Sequence, residues 1–178
     1  MMTIFRRVTS RSFARTGRLI ARLALCGVVV GLLVVLANAE ATMHAIQGAF
    51  ARIAGSILVL FGEEVVIDGN AVWSERFGIS VVTACTGLFL TGLFTTAVIV
   101  FPTALRSKLV GIVMGVTGIF TLNVVRLVSL YYVGVHMPKW LDTIHLLVWQ
   151  SLLIALSVAL WLLWAGLWGR GSGAEAAR

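Results

Sequence analysis

The chain has 178 residues, of which 60% are hydrophobic and only 12% charged. Soluble domains carry about twice that charged share, and a chain of this length has no single core able to hide so much apolar surface, so lipid is the expected solvent for much of it. The net charge of +7 raises nucleic acid as a partner. However, Arg6, Arg7, Arg11, Arg15, Arg18 and Arg22 lie at the entry to an apolar run, the mark of a positive-inside anchor, and no nucleic-acid partner is expected.

In chain order, residues 1–18 read as a basic cytoplasmic arm and 19–39 as a first transmembrane helix, long enough for ~30 Å of hydrocarbon. Ala37-Asn38-Ala39 has the look of a signal-peptide cleavage site, but the segment is read here as an uncleaved anchor. Residues 40–84 are expected to form an extracytoplasmic region. Within it, 44–62 is apolar yet carries Gln47 and Arg52. Were it a span, Arg106 and Lys108 would fall outside and Glu63, Glu64, Asp68 and Glu75 inside, against the charge rule. It is therefore read as an interfacial or re-entrant helix. Val65-Val66-Ile67, an Asp68-Gly69 turn, Val72-Trp73 and Ile79-Ser80-Val81-Val82 then suggest short strands.

Residues 85–178 form the expected membrane core of three helices: 86–101, closed by Pro102; 109–133, in which Gly111, Gly115 and Gly118 permit close packing; and 144–168, with aromatic belts at either end. The fold class expected is thus an all-α integral membrane protein with about four transmembrane helices. An interfacial or re-entrant helix and a small extracytoplasmic β-like cap complete it, and both termini are cytoplasmic. Cys26 and Cys85 fall at opposite depths, some 15–20 Å apart by helix rise, which excludes a disulfide between them.

Arg126 is the residue this pattern does not explain. It lies in an apolar helix, where insertion costs about 2.5 kcal/mol or more, so such residues usually face a polar cavity. A snorkelling arginine near a helix end is the plain reading; Asn123 and Ser129, three residues to either side on the same face, are more than that reading needs. Cys85 stands where the strand-like cap meets the next span, and a thiol at a helix N-terminus is drawn toward thiolate, although single cysteines there are more often structural. His145 opens the last span, with Asp142 placed to orient its ring if the helix has begun; His136 is the next candidate for its role, and His44 is more distant. Together, three separate spans bring a thiol, an imidazole and a guanidinium to one interface. Those are the parts of a cysteine acyl-transfer site. No P-loop or dinucleotide fingerprint competes with them, and neither a metal nor a cofactor is expected.

At these segments the sequence resembles the exosortase/archaeosortase family of membrane-embedded cysteine transpeptidases. The resemblance rests on Cys85-Thr86-Gly87-Leu88, Asn123-Val124-Val125-Arg126 and His145, with the strand-like stretch before Cys85. It covers roughly residues 55–150. The chain is shorter than the larger bacterial members and is similar in size to the compact subfamily called exosortase H. The resemblance implies a plasma-membrane cysteine protease/transpeptidase, a hydrolase of peptide bonds used in protein sorting, with its active site facing outward. Cys85 would be nucleophile, Arg126 the stabiliser of the oxyanion or substrate carbonyl, His145 general acid/base, and Asn123 a substrate-binding residue. The implied partners are the lipid bilayer and secreted proteins ending in a short motif, a transmembrane helix and a basic tail. The alternative is a non-enzymatic membrane scaffold or small transport subunit with a polar path lined by Asn123 and Arg126.

Overall fold

The computed structural model describes residues 39–168 without interruption, together with scattered positions between 17 and 35. The expected basic arm apart from Gly17, parts of the first span and the C-terminal tail lie outside the described residues.

Helix α1 (Glu40–Leu60) is one unbroken helix over the segment expected to be interfacial or re-entrant. By length and composition it is also one of three described helices able to cross a bilayer, with Leu105–His136 and Pro138–Trp168. Its buried positions Gln47, Phe50, Ala51, Ala54 and Leu58 recur at helical spacing, so one stripe faces the protein. That stripe packs with Val124, Leu127 and Tyr131, and the Phe50 and Phe120 rings lie 4.7 Å apart. The two polar residues that complicate this segment in sequence divide between the faces: Gln47 is buried and Arg52 is exposed.

A three-stranded antiparallel meander follows, β1 (Val66–Asp68), β2 (Ala71–Trp73) and β3 (Gly78–Ser80). Asp68 pairs with Ala71 across a two-residue turn, whose first position, Gly69, has φ +56, as a tight hairpin of that length favours. Each expected strand segment overlaps a strand, but each strand is only three residues long: Val65, Val81 and Val82 fall outside them, and Asp68, expected in the turn, ends β1. The sheet lies against α1, with Ile67 over Gly55 and Val72 fully buried. It is fastened to the next long helix through the Tyr131 hydroxyl, 2.8 Å from Ser74 Oγ and 3.2 Å from Glu63 Oε2. Arg76 completes this patch by pairing with Glu63 at 3.6 Å.

The remaining chain is a bundle. Helix α2 (Leu88–Val100) stops where Phe101 turns extended before Pro102, as the steric demand of proline on its predecessor requires. At 13 residues it is only ~20 Å long, short of the hydrocarbon thickness. Helix α3 (Leu105–His136) has 32 residues and overshoots α2 by several turns. A 3-10 turn (Pro138–Trp140), one α-turn (Leu141–Thr143) and a π-helical stretch (Ile144–Trp149) lead into α4 (Gln150–Trp168). Near Pro102 the bundle closes through small-for-large packing. A side chain at Gly111 would strike Trp164 and one at Gly115 would strike Phe94, so these glycines admit the rings between helices. The Trp164 indole N–H donates to Ser107 O at 2.8 Å.

Candidate active site

The site forms where short α2 begins beside long α3. The cap delivers the chain to this point: Val81 N–H donates to Asn70 O and the Asn70 side chain donates to Val81 O. The chain then tightens into a 3-10 turn, Thr83–Cys85. Gln47 of α1 donates to the Thr83 hydroxyl at 3.1 Å, and the Thr86 hydroxyl donates back to Thr83 O at 2.8 Å. Cys85 is thereby held from three directions and is buried, with 4% exposure. It lies before the first turn of α2, separated from it by Thr86 and Gly87. The expected placement at a helix N-terminus is therefore replaced by a 3-10 turn, and the nearest chemical partner is a side chain.

That partner is His145. Its Nε2 lies 3.5 Å from Cys85 Sγ, within reach of an S–H···N hydrogen bond when Nε2 carries no proton. His145 is half-buried and sits in the π-helical stretch Ile144–Trp149, a local widening often found at functional sites. Asp142, expected to orient the ring, makes no hydrogen bond to it among the described residues. Of the other histidines, His136 is exposed and stacks on Tyr132 at 6.4 Å, and His44 is exposed on α1.

Gly87 joins two of the sequence motifs. Its φ is +67, a conformation costly to residues with a Cβ, and a Cβ there would collide with the Asn123 amide. Asn123 is completely buried. Its Nδ2 donates to Ile119 O at 3.0 Å, while its Oδ1 has no partner among the described residues. One turn further along α3, Arg126 is 3% exposed, its Nε has no partner, and no carboxylate among the described residues pairs with it. A buried guanidinium without a counter-charge is costly. Ser129, the third member of the expected polar stripe, turns its hydroxyl back onto Arg126 O at 2.8 Å, which commits its one donor.

Asn123 and Arg126 form one wall of a cavity of about 480 Å³ between α2, α3 and α4. Thr83, Ala84 and Gly87 form its rim beside the cysteine turn, and it runs down past Phe94 and Ala97 to Trp161. Its lining is apolar apart from a few side chains, among them Ser157, whose hydroxyl is also unpartnered, and Trp161, whose indole N–H is likewise unpaired. Sequence reading did not single out these two residues.

Fold and site together define a helical integral membrane protein in which a buried thiol meets a half-buried imidazole, and in which the buried Arg126 pairs with no carboxylate among the described residues. The chain belongs to the transmembrane exosortase family, which it matches over residues 8–164. That membership carries a membrane transpeptidase role in general, with proteins as substrates and lipid as the surroundings. No curated protein matches the chain, and no solved structure does either.

Proposed function

We propose that this exosortase is a cysteine protease/transpeptidase of the plasma membrane. It cleaves the C-terminal sorting signals of secreted proteins at the outer face, with Cys85, His145 and Arg126 as its catalytic residues and Asn123 as a substrate-binding residue. The observation that carries this reading is the 3.5 Å approach of Cys85 Sγ to His145 Nε2 in a family of membrane transpeptidases. A buried cysteine serving only structure has no use for an imidazole at its sulfur.

The chemistry follows from the geometry. His145 Nε2 takes the thiol proton as Cys85 Sγ attacks the scissile carbonyl carbon. The developing oxyanion needs donors, and the turn's own amides are committed: Cys85 N–H to Val82 O at 2.8 Å and Thr86 N–H to Thr83 O at 3.2 Å. Arg126 is the charged donor left over, and burial in a low-dielectric wall strengthens its action. As the C–N bond breaks, His145 returns its proton to the leaving amine, and the acyl group remains on sulfur as a thioester. An acceptor amine or water then attacks the thioester, giving its proton to His145, which restores the thiol as the C–S bond breaks. No external oxidant or cofactor enters this sequence.

The arginines expected on the cytoplasmic side at 1–22 and at Arg106 support an outward-facing Cys85. A substrate with a basic tail inside and its motif outside would share this enzyme's own orientation. In membranes containing a secreted reporter that ends in an apolar span and basic tail, Cys85→Ala should abolish processing while leaving protein levels unchanged. Processing that survives Cys85→Ala would refute the reading and leave the scaffold or transport-path alternative, in which Asn123 and Arg126 act without the thiol.

A further inference from the structure

Serines, threonines and asparagines in apolar helices ordinarily close on their own backbone, and several here do so. Ser56 donates to Arg52 O, Thr96 to Gly92 O and Thr121 to Thr117 O, each four residues back. Ser157 differs: it is 5% exposed and its hydroxyl has no partner among the described residues. The same holds for Asn123 Oδ1 and Arg126 Nε, and all three residues line one cavity. Leaving a buried polar group unpaired costs about 1–3 kcal/mol; with the cavity empty these three atoms have almost no accessible surface, and rotation of the side chains, which line the cavity, would present them to an occupant able to partner them.

The unpaired set is complementary in kind. Arg126 Nε–H can only donate, Asn123 Oδ1 can only accept, and the Ser157 hydroxyl can do either. A lipid tail has no group to offer them, and a helical peptide has already spent its N–H and C=O groups on itself. An extended peptide presents both, one N–H and one C=O per residue, at ~3.3 Å intervals. Asn123 and Arg126 share a helix face about 4.5 Å apart along the axis, a spacing that one or two peptide units can meet.

We infer that the cavity between α2, α3 and α4 binds the substrate polypeptide as an unwound, non-helical segment inside the membrane, with Ser157 as a positioning residue that replaces hydrogen bonds the substrate helix gives up. This rests on the transpeptidase reading and adds to it a location, a backbone conformation and a residue. Unwinding a span in lipid is prohibitive unless protein satisfies the freed groups. Asn123, Arg126 and Ser157 do so within reach of the cysteine turn, because Thr83, Ala84 and Gly87 form the rim of the same cavity.

The test is disulfide trapping in native membranes, using the full chain with Cys26→Ala and Cys85→Ala to prevent turnover and competing thiols. Ser157→Cys is oxidised against a reporter with an apolar span and basic tail, carrying one cysteine moved stepwise along its span. Leu162→Cys, on the exposed side of α4 (57% exposed), is the lipid-facing control. The inference expects cross-links from residue 157 and not from 162, at reporter positions two apart. Cross-links at spacings of three or four would mean a helical occupant and overturn it. So would the absence of any cross-link from 157 while the enzyme with its native cysteines processes the same reporter. As a kinetic readout, Ser157→Ala is expected to raise KM about tenfold with little change in kcat; an unchanged KM contradicts the assignment. If the unaltered enzyme leaves the reporter intact or Cys85→Ala processes it normally, the transpeptidase reading fails and takes this inference with it.

Discussion

Trp164 and Trp161 sit one turn apart on α4, and both lie edge-on to Phe101, at 5.4 and 5.7 Å. Trp164 is fully buried in the notch left by Gly111 and donates its indole N–H to Ser107 O. Trp161 lines the cavity with its N–H unpaired. The two rings mark a boundary. The bundle near Pro102 is built for stability, with rings seated over glycines and a paired indole. The end near Cys85 leaves Asn123 Oδ1, Arg126 Nε and Ser157 Oγ without partners around an open space. A membrane helix bundle gains nothing in stability from such groups, and this is the end to which the proposed function assigns the substrate.

Substitutions can break this contrast. The largest effect is expected at Arg126. Arg126→Ala should reduce kcat by about 10²–10³-fold, and Arg126→Lys should be nearly as damaging, because a point charge does not reproduce the planar guanidinium; reporter-cleavage kinetics decide, and near-normal activity in the lysine variant would reduce Arg126 to a simple charge. Next is Gly87→Ala, which meets both an unfavourable φ and the Asn123 amide. It should lower stability by about 1–3 kcal/mol and displace Cys85, with activity falling about tenfold or more. Asn123→Ala in the same chain should relieve the collision but not the backbone strain, so thermal unfolding in detergent should show partial rescue. At the other end, Trp164→Phe should cost about 1–2 kcal/mol of stability through the bond lost to Ser107 and leave kcat per folded enzyme within about twofold. A larger catalytic defect would show that the two ends are not separable. The smallest effect is expected for Asp142→Asn, less than about threefold in kcat, since its exposed carboxylate makes no hydrogen bond to His145 among the described residues.

Much of this division was legible in the sequence. The apolar runs, the strand-like segments before Cys85 and the arginine inside a helix each carry a physical signature, and the spacing of Gly111 and Gly115 announced close helix contacts. The order of Cys85, Asn123-x-x-Arg126 and His145 brought the three reactive groups to one region. Ser157 was not legible: α4 is apolar on every side, so periodicity does not tell which face meets protein. The π-helical stretch that carries His145 was also hidden, because an extra residue in a turn changes no composition. Asp142, three positions earlier, lies in the α-turn before that stretch and makes no hydrogen bond to the ring among the described residues. The interlock of Gly87 with Asn123 joins residues 36 positions apart in sequence, and only the packing of α2 on α3 reveals it.

The central claim is that Cys85 carries the acyl group. Purified enzyme mixed with reporter and quenched early should show, by mass spectrometry, a reporter fragment attached to the peptide containing Cys85. Hydroxylamine should release it, and the adduct should accumulate when the acceptor is withheld. Turnover of the reporter with no adduct on Cys85, continuing undiminished in Cys85→Ala, would contradict the account.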